Sequence, residues 1–217
     1  MPDPVMQNDS SPDMKNDSSP IPNGYPSVNA RGQGSLLGYT VVALGLALFI
    51  RFFIAAPYVV SGQSMEPNFK DWEYLIVDRV SYDFGGPERG DVVIFNQPGT
   101  KRALIKRVIG LPGETIVLSD NTVTVQNAEH PEGFVISEPY LEQTNMGGIT
   151  EMKITLEPDR YFVLGDNRRV SSDSRIWGTL PREDIVGQVL LRLYPFNDID
   201  VLPSRSRYTD TATPAGN

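Results

Sequence analysis

The stretch ALIKRVI at residues 103–109 is dominated by aliphatic and β-branched side chains, and it predicts a buried β-strand that carries two adjacent charges. Side chains alternate between the two faces of a strand, so Lys106 shares a face with Leu104 and Val108, while Arg107 lies on the other face. At least one of these charges must therefore face apolar neighbours. Burial disfavours the charged form of a lysine and lowers its pKa, from about 10.4, by as much as about 3–5 units, which would make Lys106 a usable base.

Short runs of the same kind surround this stretch and are separated by clusters of glycine and proline, which favour turns. The further predicted strands are Glu73–Val80, Asp91–Phe95, Thr115–Leu118, Thr122–Gln126, Tyr161–Leu164 and Val186–Tyr194. No run between residues 57 and 200 has the pattern of a long amphipathic helix. We therefore predict a mostly β, antiparallel domain over residues 57–200, with a small β and loop insertion at about 127–158.

The N-terminal part of the chain has a different composition. Residues 1–35 are polar and rich in Pro, Asn, Asp, Ser and Gly, which predicts a disordered tail. Residues 36–56 are apolar apart from Arg51 and are long enough for a transmembrane helix, which we expect Pro57 to end. A buried core helix is the alternative interpretation of this segment. Residues 201–217 predict a polar C-terminal tail.

Composition excludes several classes of function. The formal net charge of −8 argues against a nucleic-acid partner, because phosphate binding needs a basic surface. The chain has no cysteine, which excludes disulfides, zinc–thiolate sites and cysteine nucleophiles. Its single histidine, His130, lies in a polar, turn-prone run and is expected to be a solvated loop residue. We therefore expect no metal and no cofactor.

A second candidate for chemistry is Ser64, in the segment SGQSMEP at residues 61–67. A serine needs an adjacent base to attack a carbonyl, and without cysteine or a suitable histidine the natural remaining base is Lys106. The local pattern leaves other interpretations open. Ser64 is also compatible with a simple turn residue, and Lys106 with a side chain that reaches the edge of the sheet or pairs with an acid such as Glu114.

Four segments resemble, in the same order, the motifs of type I signal peptidases. The matched patterns are G-x-S-M-x-P at 62–67, G-D-[IV]-V-x-F at 90–95, K-R-x-x-G-x-P-G-[DE] at 106–114 and G-D-N-R-x-x-S-x-D-S-R at 165–175. The predicted transmembrane segment precedes them, so the resemblance covers about residues 36–195. It implies a membrane-anchored Ser/Lys-dyad endopeptidase that removes signal peptides from exported pre-proteins.

The resemblance also implies a role for individual residues. Ser64 would be the nucleophile, and Lys106 would take its proton and later activate the deacylating water. Ser171 would hydrogen-bond the lysine amine and orient it. Asp173 and Arg175 would form a structural pair near the site.

Substrate contacts are predicted around the nucleophile. The backbone N–H of Ser64 would help to form an oxyanion hole, and Gly62 occupies the position where some members of the family supply a hydroxyl, which leaves the second donor unassigned. Shallow apolar pockets would select small residues at an A-x-A-like cleavage site. An extended substrate would pair with a free strand edge at Val59-Val60 or beside Lys106. The predicted pocket walls are Val59, Met65 and Ile105. Asn68 stands where the family often has threonine, and we expect it to be tolerated.

Partners and location follow from the same resemblance. We expect the lipid bilayer and the signal peptides of exported pre-proteins as partners. We further expect a single-pass protein with a cytoplasmic N-terminus and a catalytic domain on the outer, periplasmic or lumenal, face. A self-cleaving Ser/Lys regulator is disfavoured by the apolar segment and the acidic charge. The alternative from another class is a catalytically inactive, membrane-tethered β-domain that binds extended peptides.

Overall fold

The structure is a computed structural model that describes residues 33–49, 55–147 and 151–203. Most of both predicted tails, residues 1–32 and 204–217, lies outside the described residues. The helices are α1 (Gln33–Phe49), α2 (Ser81–Phe84) and α3 (Ser174–Trp177), with 3₁₀ turns at Gln143–Asn145, Arg182–Asp184 and Phe196–Asp198.

The predicted transmembrane helix is corrected at its C-terminal end. Helix α1 reaches Phe49, residues 50–54 lie outside the described part, and Ala55 and Ala56 already belong to a β-strand. Pro57 lies inside that strand rather than ending a helix, and it is accommodated because the strand lies at the edge of its sheet. None of the helices in the described ranges is long and apolar enough to cross a membrane.

In the described part of the chain, twelve strands form two antiparallel sheets, which confirms the predicted mostly β, antiparallel fold. The strands are β1 (Ala55–Val59), β2 (Tyr74–Asp78), β3 (Val92–Asn96), β4 (Ala103–Gly110), β5 (Thr115–Ser119), β6 (Thr122–Gln126), β7 (Phe134–Val135), β8 (Met152–Thr155), β9 (Arg160–Leu164), β10 (Leu180–Pro181), β11 (Ile185–Tyr194) and β12 (Asp200–Val201). The larger sheet has the order β1-β2-β11-β3-β4-β9-β10, and β12 pairs with β11.

The smaller sheet has the order β7-β6-β5-β8 and spans residues 115–155. It therefore begins earlier than the predicted insertion, because β5 and β6 pair with β7 and β8 rather than with the larger sheet. The apolar pattern of β5 and β6 predicts strands but carries no information about their partners. Their inward side chains join those of Ile109, Phe162 and Leu164 in one core that links the two sheets.

Two free strand edges position the candidate site. The first half of β4, Ala103–Lys106, pairs with β3, whereas β9 pairs with β4 only from Arg107 onward. Strand β1 pairs with β2 alone and forms the end of the larger sheet. A core of apolar side chains from the β1–β2 loop and from strands β2, β3, β4 and β11 lies beneath these edges.

Candidate active site

Ser64 lies in the loop between β1 and β2, and backbone contacts fix this loop at several points. The Val60 N–H donates to the carbonyl oxygen of Glu73 at 2.9 Å and closes the base of the loop. Gly62 has φ +94°, in the left-handed region that favours glycine, so it can turn the chain ahead of the serine. The carbonyl oxygen of Ser64 accepts a hydrogen bond of 3.0 Å from the Asn167 N–H. The loop is therefore held against the Gly-Asp-Asn-Arg turn at 165–168.

Lys106 and Ser64 are in direct contact. Lys106 Nζ donates to Ser64 Oγ at 2.7 Å and to the carbonyl oxygen of Ile105 at 2.8 Å. The lysine is only 2% exposed, and within the described ranges it forms no ion pair. A neutral lysine amine at this distance can accept the serine proton, which is the geometry that a general base needs.

The electrostatic surroundings of Lys106 favour its neutral form. Burial is the main cause and lowers the pKa of Lys106 to about 8. The carboxylates of Asp173 and Asp166 oppose this change in pKa, whereas the positive charges of Arg102 and Arg175 support it. At pH 7 about one amine in ten is then neutral, compared with about one in 2,500 for a free lysine.

The alternative interpretations of Lys106 do not fit this structure. The side chain is buried and does not reach solvent at the edge of the sheet. Glu114, the acid proposed as its partner, instead forms an ion pair of 2.5 Å with Arg89 and accepts a hydrogen bond from the Leu111 N–H. Lys106 thus has the serine hydroxyl and a backbone carbonyl as its hydrogen-bond partners.

The neighbouring charge on β4, Arg107, is fully paired. Its Nε and Nη2 atoms donate to the two carboxylate oxygens of Asp166 at 2.8 and 2.6 Å, and Nη1 donates to the Gly90 carbonyl oxygen at 3.0 Å. The guanidinium also stacks on the ring of Tyr140, 4.0 Å from its centroid. A buried guanidinium needs such a set of partners because it cannot lose its charge.

Asn68 has a larger part in this arrangement than the sequence predicts. Its Nδ2 donates to Asp166 Oδ2 and to the carbonyl oxygen of Tyr140, both at 2.9 Å. The side chain therefore connects the β1–β2 loop, which carries Ser64, with the Arg107–Asp166 pair. We had expected Asn68 only to be tolerated in place of threonine.

Asp173 and Arg175 form an ion pair next to the turn at 165–168. Arg175 Nε and Nη2 each lie 2.8 Å from a carboxylate oxygen of Asp173, and the Gly165 N–H donates to the same carboxylate at 3.1 Å. Ser171 is buried, and its Oγ has no hydrogen-bond partner among the residues that the structure describes. The predicted bond from Lys106 to Ser171 is therefore not made in this structure.

The backbone N–H groups of Ser64 and Gly62 are the candidate donors to an oxyanion. Within the described part of the chain the Ser64 N–H donates to no protein acceptor, so it is available to a substrate carbonyl. The Gly62 N–H donates to Asp71 Oδ1 at 2.9 Å and is not available. The second donor remains unassigned, and the N–H of Gly62 does not supply it in this conformation.

A narrow cavity of about 150 Å³ opens beside Ser64 between the edges of β1 and β4. Of the predicted wall residues, Val59 and Ile105 line it. Met65 is corrected: its side chain is fully buried in the core, and its sulfur accepts a hydrogen bond of 3.4 Å from the Asp166 N–H. The chain turns sharply after Ser64, and Met65 therefore points under the loop, where no substrate can touch it.

His130 takes no part in the site. It lies partly exposed in the loop before β7, and its ring centroid is 5.2 Å from that of Phe134. It does not line the cavity beside Ser64. Among the described residues, no group of three His, Asp or Glu side chains could hold a metal ion.

Comparison with known proteins identifies the family. The sequence model described as "Signal peptidase, peptidase S26" matches residues 34–194. The chain belongs to the signal peptidase family. It is accordingly a serine endopeptidase of the type I signal peptidase group.

Two curated signal peptidases illustrate the similarity. A probable signal peptidase I-1 of Synechocystis sp. is 36% identical over 164 residues, which cover 71% of this chain and 79% of the relative. Signal peptidase IB of Staphylococcus aureus (strain COL) is 33% identical over 173 residues, which cover 73% and 90%. A crystal structure of a signal peptidase I from Enterococcus faecalis V583 matches with 31% identity and a TM-score of 0.42, covering 48% of this chain and 96% of that one.

Several residues around the candidate site were not predicted from the sequence to take part in it. Arg107 and Asp166 each lie inside a matched motif, and this was the only sign in the sequence that they matter. That they pair with each other can be seen only in the folded structure. Asn68 carried a signal only as a departure from the family pattern. Arg102, which lines the cavities beside Ser64, gave no signal, because an arginine in a turn is ordinarily a solvated surface residue.

Proposed function

We propose that the protein is a membrane-anchored signal peptidase that uses Ser64 as its nucleophile and Lys106 as its general base. The observation that carries this proposal is the 2.7 Å hydrogen bond between Lys106 Nζ and Ser64 Oγ. It involves a lysine that is buried and, within the described ranges, forms no ion pair with a carboxylate. A structural lysine in a core would be expected to have a charged partner, as Arg107 does.

The chemistry follows from this contact. Ser64 Oγ attacks the carbonyl carbon of the scissile peptide bond while its proton passes to the neutral amine of Lys106. The oxyanion of the tetrahedral intermediate accepts a hydrogen bond from the Ser64 N–H. Lys106 then gives the proton to the leaving nitrogen, the C–N bond breaks, and an ester remains on Ser64. A water molecule gives a proton to Lys106 and attacks this ester, which releases the signal peptide and returns the proton to Ser64.

Substrate selection follows from the narrow cavity and the free strand edges. The cavity has Val59 and Ile105 in its wall, and this apolar lining suits the methyl group of an alanine side chain. The free edges of β1 and of the first half of β4 present backbone groups that can pair with an extended peptide. We therefore propose cleavage after small residues at A-x-A-like sites of exported pre-proteins.

We further propose that the apolar segment from Leu36 to the residues before Ala55 anchors the protein in a membrane. Helix α1 contributes 14 of these positions, Leu36–Phe49, without a single charged side chain. The proposed topology has the N-terminal tail in the cytoplasm and the β-domain on the outer face. Protease protection of sealed, right-side-out vesicles tests this topology. Protease added outside should reach the β-domain and leave the N-terminal tail protected.

The catalytic proposal is tested with detergent-solubilised full-length protein and a pre-protein that carries an A-x-A site. Activity is compared across pH 6 to 10 for the parent and the variants Ser64→Ala and Lys106→Met. Ser119→Ala and Lys101→Ala are matched controls, since Ser119 ends β5 in the smaller sheet and does not line the cavity beside Ser64, and Lys101 is an exposed lysine ahead of β4. Circular dichroism establishes that each variant is folded.

We expect Ser64→Ala and Lys106→Met to lose activity by several orders of magnitude while both controls stay within a few-fold of the parent. The acidic limb of kcat/KM for the parent should lie near pH 8, because cleavage requires neutral Lys106 and its pKa is lowered to about 8. A folded Lys106→Met variant that keeps its activity would refute the dyad. A folded parent that binds the peptide without cleaving it would instead favour an inactive peptide-binding β-domain.

A further inference from the structure

A second cavity also borders Ser64 and is larger than the first. Its volume is about 530 Å³, and it shares Ser64, Lys106 and Arg102 with the narrow cavity. Its lining also includes Gln63, Gln97 and Ser172. These residues offer amide and hydroxyl groups, whereas the residues that line only the narrow cavity are mostly aliphatic.

The two cavities fit the two sides of a scissile bond. If the narrow cavity holds the small residues before the bond, as proposed above, the peptide continues past Ser64 into the larger one. An extended chain advances about 3.3 Å per residue, so the first two residues after the bond lie within the larger cavity. This assignment rests on the proposed function.

Arg102 gives the larger cavity a positive charge. Its backbone is fixed in the turn before β4, where its carbonyl oxygen accepts from the Gln97 N–H at 2.9 Å and its N–H donates to Thr100 Oγ1 at 3.2 Å. The exposed guanidinium has no hydrogen bond or ion pair to any residue that the structure describes. No carboxylate is among the described residues that line this cavity.

We propose that Arg102 is a specificity-determining residue that makes the larger cavity a subsite for an acidic side chain. The ligand is the carboxylate of an Asp or Glu at one of the first two positions after the cleavage site. The guanidinium offers several donors in a planar array, which suits a carboxylate. A substrate lysine at either of these positions would instead be repelled by the positive charge of Arg102.

The subsite is electrostatically linked to the base. Arg102 is one of the positive charges that hold down the pKa of Lys106, together with Arg175 and against Asp173 and Asp166. Removing the charge of Arg102 should therefore move the acidic limb of kcat/KM upward in pH.

The test uses synthetic peptides with one A-x-A site that carry Ala, Asp or Lys at the first or second position after the bond. With the full-length parent at low ionic strength, we expect kcat/KM to be about fivefold higher for Asp than for Lys, the size expected of one exposed charge contact. The ratio should fall to about one in Arg102→Gln and below one in Arg102→Glu. Lys101→Gln is the matched control, because Lys101 is the adjacent exposed cation and lines neither cavity.

Binding of the same peptides to Ser64→Ala separates this proposal from the proposed function. If Ser64→Ala binds the Asp peptide more tightly than the Lys peptide, and the added change Arg102→Gln removes the difference, the subsite stands whether or not the parent cleaves. Equal affinities would overturn it. A parent that cleaves all peptides equally well would also overturn the subsite, while leaving the Ser/Lys mechanism intact.

Discussion

Replacing Lys106 with methionine is expected to stabilise the folded protein while it removes catalysis. The pKa of Lys106 falls from 10.5 to about 8 on folding. At about 1.4 kcal/mol for each pH unit, a protonated Lys106 costs the folded state about 3 kcal/mol at neutral pH. Methionine fills a similar volume without a charge. Loss of the hydrogen bond to Ser64 destabilises the variant by about 1 kcal/mol, which reduces this gain in stability. We therefore expect Lys106→Met to raise the free energy of unfolding by about 2 kcal/mol at pH 7.

The sign of the pH dependence follows from the lowered pKa of Lys106. Below pH 8 the lysine is protonated in both states, and the folded state bears the whole desolvation cost. Between pH 8 and 10.5 the unfolded chain binds more protons than the folded one, so the parent gains stability as the pH rises. The desolvation cost is about 3 kcal/mol at pH 7, about 2 kcal/mol at pH 9 and below about 1 kcal/mol at pH 10. The advantage of the methionine variant should shrink in the same window.

Urea unfolding of detergent-solubilised protein, followed by tryptophan fluorescence at pH 7, 9 and 10, measures these differences. Ser64→Ala is the control, because it removes the nucleophile and the hydrogen bond but keeps the buried charge of Lys106. It should be inactive and no more stable than the parent. A methionine variant that is less stable than the parent at pH 7, or an advantage that does not change with pH, would refute the argument that burial lowers the pKa of Lys106.

Two further predictions concern the scaffold of the site. Gly165→Ala should lower kcat by about a hundredfold in a cleavage assay. The added methyl group would overlap the Ser171 hydroxyl and displace the β1–β2 loop that carries Ser64. An unchanged kcat would contradict this close packing around Gly165. Arg192→Met should lower the free energy of unfolding by about 3–5 kcal/mol, since Arg192 Nε lies 3.0 Å from buried Glu73 and its Nη2 donates to the Asn68 carbonyl oxygen. Adding Glu73→Gln should restore part of this stability in urea unfolding, and a failure to do so would show that Glu73 is not the group left unpaired.

The strands of the larger sheet were predictable because apolar alternation and turn residues act locally. The predicted runs at 103–109 and 186–194 differ from β4 and β11 by at most one residue at either end. Strand β1 was missed because Ala55 and Ala56 continue an apolar run and Pro57 suggests a helix end. Pairing with β2 decides the conformation of this segment, and that pairing cannot be inferred from its own sequence.

The residues that hold the site together were harder to predict than the strands. Ser64 and Lys106 are 42 positions apart. The lack of cysteine and of a suitable histidine left a lysine as the natural base, and the resemblance to a family then favoured this pair over the other interpretations. The bond from Asn68 to Asp166 joins residues 98 positions apart and has no local signature. Met65 was misassigned because a residue next to the nucleophile was expected to face the substrate, whereas the turn directs it into the core.

The contacts of the two adjacent charges on β4 explain how the fold can lower the pKa of a buried lysine without losing the strand. Arg107 is always protonated, so the fold must pair it, and Asp166 does so through two hydrogen bonds. Asp173, the carboxylate that opposes the lowered pKa of Lys106 most, is itself bound by Arg175. Both acids that would keep Lys106 protonated are thus already committed to an arginine. The ion pairs at the border of the site therefore act on catalysis indirectly, because they prevent a carboxylate from pairing with the base.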